Sequence, residues 1–348
     1  MSSKRNVLTA AGVASVPRCP GEPEVRRDDA RLPRAALVGF VLASLACSHQ
    51  PAHAPSQAKS SCQPVTSNGS PLSLAVLGSG GPVSFGRGAS GYVVLVDGKA
   101  RILIDAGPGT FLRLGEMRID LSALDIVLLT HLHIDHAGDV PGFVMARDLS
   151  VANPVTFRIA GPAGANVYPS TTAFVDRLFG ASGTFGYLKT FRNDLRFDAV
   201  DLPVRADASP YEVLHDGDLR VTSIAVDHGD APAVAFRVEH AGRAVVVSGD
   251  LASKDDNLAR LATGADLLIY DATVLDPPGS PAQLYDLHTS PRRIGEVAAL
   301  ARVRSLLLSH ITPSVDERRR AVLDSIRAAY SGEVRFAEDC ETLDVARP

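Results

Sequence analysis

The chain has 348 residues, 45% hydrophobic and 21% charged, enough apolar material for one large globular domain or two small ones without disulfide or metal staples. Its net charge of −4 hides an asymmetry: the first 60 residues hold eight Lys/Arg and four Asp/Glu, leaving 27 basic against 35 acidic residues, net −8, in the remainder. An acidic body has no general attraction for phosphate backbones, which argues against a nucleic-acid partner. Three of the four cysteines (Cys19, Cys47, Cys62) precede residue 63 and Cys340 stands alone, so neither a disulfide framework nor a cysteine zinc site is expected.

From the start of the chain, Arg26, Arg27, Arg31 and Arg34 lead into an apolar run from Ala35 to Ala46, the pattern of an export address. The run is too short for a comfortable transmembrane span. It ends in Ser44-Leu45-Ala46-Cys47, which resembles a lipoprotein signal with Cys47 as the lipidated residue. Cleavage after Ala52-His53-Ala54 is the rival, and Pro55 argues against it. The expectation is an exported protein, periplasmic or anchored to the membrane through a lipid on Cys47. The chain then divides into a signal or lipoprotein-like segment, 1–47, a Ser/Pro/Gln/Ala-rich flexible linker, 48–70, and a folded domain, 71–348.

In that domain short apolar runs alternate with Gly-rich turns and segments of helical period, which predicts a mixed α/β fold. Strands are expected at Leu72–Leu77, Tyr92–Val96, Arg101–Ile104, Asp125–Thr130, Val155–Ile159, Arg220–Val226, Ala233–Val238, Ala244–Ser248, Asp266–Tyr270 and Ser305–Ser309. Helices are expected at Asn166–Leu178, Pro291–Ala301 and Val315–Tyr330. The residues themselves show no internal repeat.

The sharpest feature is Thr130-His131-Leu132-His133-Ile134-Asp135-His136, directly after an apolar strand. Imidazole and carboxylate form the donor set for zinc and similar divalent ions, and no thiolate is present. Close spacing lets His131 and His133 face one ion while Asp135 and His136 face another. Further His and Asp residues share one placement, each ending an apolar run: His228 after Val221–Val226, Asp250 after Ala244–Ser248, Asp271 after Leu267–Tyr270, and His310 after Leu306–Ser309. Side chains at the carboxyl ends of core strands converge on a common face. Alone, His228 or His310 reads as a core histidine; beside the histidine loop the balance reverses. His49, His53, His215 and His240 lack that context and read as surface residues.

These motifs resemble the metallo-β-lactamase superfamily over about Leu72 to Val345, and most closely its branch of ribonuclease Z and arylsulfatase-like enzymes. The histidine loop matches His131-Leu132-His133-Ile134-Asp135-His136, the third-motif histidine His228, the bridging aspartate Asp250 in Ser248-Gly249-Asp250, and the last ligand His310. Leu77-Gly78-Ser79-Gly80-Gly81 and Leu103-Ile104-Asp105-Ala106-Gly107 resemble the opening strands. The resemblance implies a four-layer αβ/βα sandwich with two divalent ions at one edge. Zinc is the default metal, with manganese and iron as substitutes. The first ion would take His131, His133, His228 and Asp250, and the second Asp135, His136, Asp250 and His310. Asp135 and His288 are the implied catalytic residues, with attack by a metal-bridging hydroxide and His288 serving the leaving group. Asp105 and Asp271 are expected to orient ligand histidines by accepting their outer N–H groups.

The implied substrate is a small ester, cleaved as an arylsulfatase or a phosphodiesterase would cleave it. Asp250 disfavours antibiotic hydrolysis. Ribonuclease Z enzymes insert a long basic arm between the third-motif histidine and the bridging aspartate, where His228 and Asp250 are only 22 positions apart. Processing of tRNA 3′ ends is therefore the alternative rather than the first reading. A lactone or thioester hydrolase and a noncatalytic metal-binding envelope protein also stay open. The segment from Tyr168-Pro169-Ser170 to Phe179-Gly180, with Gly186-Tyr187-Leu188, resembles the arylsulfatase-like group and reads equally well as ordinary structure. The sequence leaves the oligomeric state open, a homodimer included.

Overall fold

The computed structural model describes residues 62–65, 69–83, 85–191, 195–205 and 209–345. The signal segment 1–47, with Cys47, and most of the 48–70 linker lie outside the described residues. The first half builds β1 (Leu72–Gly78), β2 (Gly91–Val96), β3 (Lys99–Ala106), α1 (Thr110–Glu116), β4 (Ile126–Leu128), α2 (Ile134–Ala137), α3 (Val140–Ser150), β5 (Thr156–Pro162), α4 (Thr171–Phe179) and β6 (Arg196–Leu202). The second half builds β7 (Tyr211–Asp216), β8 (Leu219–Val226), β9 (Ala233–His240), β10 (Arg243–Val247), α5 (Asn257–Leu261), β11 (Leu267–Asp271), α6 (Pro291–Ala301), β12 (Ser305–Ser309), α7 (Pro313–Asp316), α8 (Arg319–Arg327) and β13 (Glu333–Phe336). A last strand, β14 (Thr342–Asp344), crosses back to pair with β1.

Two seven-stranded sheets result, ordered β14-β1-β2-β3-β4-β5-β6 and β13-β12-β11-β10-β9-β8-β7. Strand alternation sorts the side chains into three cores. Leu74, Val76, Ile102 and Ile104 meet Val221, Phe236, Val245 and Ile269 between the sheets. Leu77, Val93, Leu103 and Val127 pack with Leu114, Phe143, Val144 and Phe179 of the helices on the first sheet. Val246, Leu268, Tyr270 and Leu308 pack with Leu258, Ile294, Val297 and Ile326 on the second. The layers are helix, sheet, sheet, helix, the expected αβ/βα sandwich. Each fully buried Leu, Ile, Val or Phe contributes about 1.5–3 kcal/mol, so the doubly covered central strands hold the fold. Among the described residues no helix is long and apolar enough to cross a membrane.

The ten expected strands correspond to β1–β5 and β8–β12. The four that went unread, β6, β7, β13 and β14, are the four sheet edges. An edge strand buries less of its surface and lacks a strong apolar run; β6 reads Arg-Phe-Asp-Ala-Val-Asp-Leu and buries only Leu202 fully. Two helices depart from expectation. Residues 166–170 are a turn, and α4 starts at Thr171 after Pro169, with the Ser170 hydroxyl accepting from Ala173 N at its N-cap. The helix expected over Val315–Tyr330 starts earlier, because Pro313 supplies a ready-made first-turn φ, and breaks at Glu317–Arg318 into α7 and α8.

The cysteine reading is corrected. Cys62 and Cys340 form a disulfide across 278 residues of sequence, and Val65 N donates to Met117 O at 2.9 Å. Residues 62–65 of the linker segment are thereby tied to the body. The sequence hides this pairing because Cys62 lies in a stretch of Ser/Pro/Gln/Ala-rich composition far from Cys340.

Candidate metal centre

Every candidate side chain but His288, which lies just before α6, sits at or just past a strand end. Strand β3 delivers Asp105 at φ 57°, β4 opens into the histidine loop, β8 leads to His228, β10 to Asp250, β11 ends on Asp271, and β12 leads to His310 at φ 56°. Positive φ in non-glycine residues costs of order 1–3 kcal/mol each and persists only where the surroundings enforce it. His133 caps the short α2, so that Asp135 and His136 turn back under it. Gly107 makes this possible: a Cβ there would stand 2.0 Å from the Asp135 carbonyl oxygen.

The donor atoms form two main clusters, His131/His133/His228 and Asp135/His136/Asp250/His310, and His228 and Asp250 also group with His288. Ligand bonds of about 2.0–2.2 Å leave neighbouring donors roughly 3–3.6 Å apart. The spacings agree: 3.0 Å from His131 Nε2 to His133 Nδ1, 3.2 Å from His310 Nε2 to Asp135 Oδ2 and to Asp250 Oδ2, and 3.4 Å from His136 Nε2 to Asp250 Oδ1. Asp250 Oδ2 also stands 3.9 Å from His228 Nε2, which sets this carboxylate between the clusters. His136 Nε2 and Asp250 Oδ1 are buried without a hydrogen-bond partner among the described residues. Orphaned buried donors at such spacing fit a pair of divalent cations.

The electrostatics fit as well. Burial, reinforced by His136, pushes His131 well below the ordinary imidazole value, and burial likewise lowers His133 and His228. These rings stand neutral, with lone pairs available. Burial would raise Asp250, but His310 and His136 hold it well below the usual carboxylate range. Asp135 is lowered against burial by its bond to His310 and by His136. His136 departs from this pattern: against burial, Asp250 and Asp105 hold it well above its ordinary value, so the site holds a proton where a cation would bind.

The outer ring nitrogens are held from behind. His136 Nδ1 lies 2.8 Å from Asp105 Oδ2, and the fully buried Asp105 also accepts from Thr130 N and Thr130 Oγ1 at 2.8 Å each. Three donors offset the several kcal/mol that burying this carboxylate costs. His131 Nδ1 lies 3.1 Å from Thr130 Oγ1, His228 Nδ1 donates to the Leu287 carbonyl at 2.9 Å, and His310 Nδ1 lies 2.6 Å from Thr273 Oγ1. Thr130, Thr273 and Leu287 were missed from sequence. The threonines carried a signal, each lying within three residues of an assigned Asp or His; a backbone carbonyl carries none.

Asp271 differs from expectation. Its partner is not a histidine of either cluster but His288, whose Nδ1 lies 2.8 Å from Asp271 Oδ2. Burial and the Asp250 charge push the Asp271 carboxyl well above its ordinary value. The His288 ring lies 5.4 Å from His228 and 5.7 Å from His310, between the two clusters. His215 is exposed, and His240 pairs with Asp97 at 3.1 Å; His49 and His53 lie outside the described residues. In the arylsulfatase-like segment, Phe179 stacks on Phe197 and Leu188 is buried, so both pack the fold.

A sequence profile described as "Beta-lactamase superfamily domain" matches residues 100–311, from β3 to just past His310. The chain belongs to the beta-lactamase superfamily. It is a metal-dependent hydrolase of the metallo-β-lactamase fold. Among relatives of this superfamily member, a Ribonuclease Z of Mycobacterium sp. (strain KMS) is 29% identical over 289 residues, covering 79% of this chain and 96% of the relative. An uncharacterized protein of Mycobacterium leprae (strain TN) is 31% identical, covering 79% and 89%. Among solved structures, human tRNase Z, short form, superposes with a TM-score of 0.61 at 24% identity, over 79% of this chain and 100% of that one. The metallo-β-lactamase fold protein YhfI of Bacillus subtilis gives 0.59 at 20%, over 78% and 98%.

Proposed function

We propose that this protein is a binuclear metal-dependent phosphodiesterase. The observation that carries the reading is the pair of donor clusters with Asp250 between them and His288 beside both. Two divalent ions held there would supply an activated water and neutralise charge on a phosphoryl group. The chain's own residues do the rest. Asp135 and Asp250 enter as carboxylates, and the neutral His131, His133 and His228 keep lone pairs inward. Asp271 holds His288 by Nδ1, and once the pair carries one proton beyond neutral imidazole and carboxylate, Nε2–H would serve the leaving oxygen or hold the developing oxyanion.

The relatives named Ribonuclease Z support a phosphodiester over a sulfate ester and, among phosphodiesters, an RNA. They favour the tRNA-processing alternative over the small-ester reading. One observation favours a second reading, a small phosphodiester. Between His228 and Asp250 the chain makes only the β9–β10 hairpin, turning through Ala241-Gly242, with no protruding arm to grip a large nucleic acid. Export of the chain is a further part of the proposal, supported by the Cys62–Cys340 disulfide, since such bonds persist in oxidising compartments.

The test uses the purified full chain against a precursor tRNA carrying a 3′ trailer, bis-p-nitrophenyl phosphate and p-nitrophenyl sulfate, with and without a chelator. Turnover of either phosphodiester, lost on chelation and restored by zinc or manganese, is expected. Cleavage of the precursor selects the RNA reading. Turnover of the sulfate alone overturns the proposal.

A further inference from the structure

Five histidines line the two donor clusters, and the outer nitrogens of four are held by the strand ends or by the segments that follow them. The fifth, His133, meets a tyrosine hydroxyl in the segment after β5. Its Nδ1 faces His131 Nε2 at 3.0 Å, and its Nε2 lies 3.2 Å from the hydroxyl of Tyr168, with the two rings 5.7 Å apart. Tyr168 belongs to the turn between β5 and α4, 35 residues away in sequence.

That turn is rigidly built. Tyr168 N donates to Ala165 O at 2.9 Å, and Asn166 takes φ 53°. A Cβ on Gly164 would stand 2.5 Å from Ser170 N and 2.9 Å from the Tyr168 carbonyl oxygen, so only glycine lets the chain double back here. Behind it Thr171, fully buried, donates to Pro162 O at 3.1 Å, and Thr172 N donates to Asp201 Oδ1 at 2.8 Å. Val167 is 90% exposed, whereas its neighbour Tyr168 is half-buried and turned to His133. Ala165 and Asn166 of the same turn line a cavity that His228 also lines.

We infer that Tyr168 is a positioning residue for the first metal ion: its hydroxyl oxygen accepts Nε2–H of His133 and fixes the ring with the Nδ1 lone pair toward the cluster. The tautomer requires this polarity. A His133 that ligates through Nδ1 carries its proton on Nε2, and the Tyr168 oxygen is the acceptor within reach. Outer partners of this kind typically govern 10–100-fold of metal affinity. Tyr168 couples the β5–α4 turn, which borders the cavity at His228, to the metal ligand itself. The inference rests on His133 being a ligand and is independent of which ester is cleaved.

The experiment is a cobalt or zinc titration of the full chain in competition with a chelator of known affinity, comparing wild type, Tyr168→Phe and a Val167→Ala control, and repeating Tyr168→Phe in a His133→Ala background. Expected is a 10–100-fold weaker first ion in Tyr168→Phe, an altered cobalt spectrum, an unchanged second ion, and no effect of Val167→Ala. In the His133→Ala background, Tyr168→Phe is expected to change nothing further. Unchanged affinity for both ions in Tyr168→Phe overturns the inference. So does an equal weakening of both ions with a lowered melting temperature, or an undiminished effect of Tyr168→Phe when His133 is absent. Since metal binding is read directly, failure here is distinct from failure of the phosphodiester reading.

Discussion

The two halves of the molecule use one strand plan for different ends. From β14 through β6, and from β7 through β13, each sheet runs through three antiparallel pairings and then three parallel ones. The first half concentrates its donors in one loop after β4, where His131, His133, Asp135 and His136 fall within six positions. The second half places them singly, His228 after β8, Asp250 after β10 and His310 after β12, and adds His288, held by Asp271 as the first half's Asp105 holds the cluster ligand His136. A loop assembles a cluster by local geometry, whereas strand ends assemble one only because the sheet aligns them. The halves differ also in their outer edge. The second supplies its own β7, while the first borrows β14 from the far end of the chain, with Cys340 just before β14 bonded to Cys62 upstream of β1.

The largest effect is expected where the halves meet. Asp250→Ala removes the carboxylate between the clusters and should abolish hydrolysis, by more than about 10³-fold, with metal content falling and the fold retained, because donors and not core volume are lost. Elemental analysis beside circular dichroism checks this, and a variant that keeps both ions and its turnover would break the picture of a shared carboxylate. Next comes His288, the Asp-held histidine of the second half. His288→Ala should slow an ester with a poor leaving group by about 10²–10⁴-fold and one with a good leaving group far less, if His288 delivers a proton. Equal losses on a leaving-group series would assign it a structural role. The smallest effect on catalysis belongs to the Cys62–Cys340 clasp beside the β14 edge of the first sheet. Cys62→Ser should lower unfolding stability by about 2–4 kcal/mol in urea melts without reductant while leaving kcat unchanged. A melt indifferent to that substitution would show that β14 pairing alone holds the edge.

Reading the sequence went furthest where information is local. Central strands covered on both faces need near-continuous apolar runs, so β1–β5 and β8–β12 were legible. The histidine loop was legible because four donors in six positions have few other uses. Edge strands gave no such signal, since solvent covers part of them. Gly and Pro disguised α1 and α3, which contain Gly115 and Pro141-Gly142.

Residue types and spacing alone thus determined a mixed α/β fold and a donor set of imidazole and carboxylate suited to divalent ions, while the layered sandwich came from the resemblance to a family. The tertiary structure decided what depends on meetings across long stretches of chain. It placed Asp271 behind His288 rather than behind a donor histidine, set the Leu287 carbonyl and the Tyr168 hydroxyl on the outer nitrogens of His228 and His133, and joined Cys62 to Cys340. The reason is physical: which hydrogen bonds and disulfides form is settled by distances of about 3 Å or less between atoms, and only packing of the two sheets brings residues tens or hundreds of positions apart within that reach.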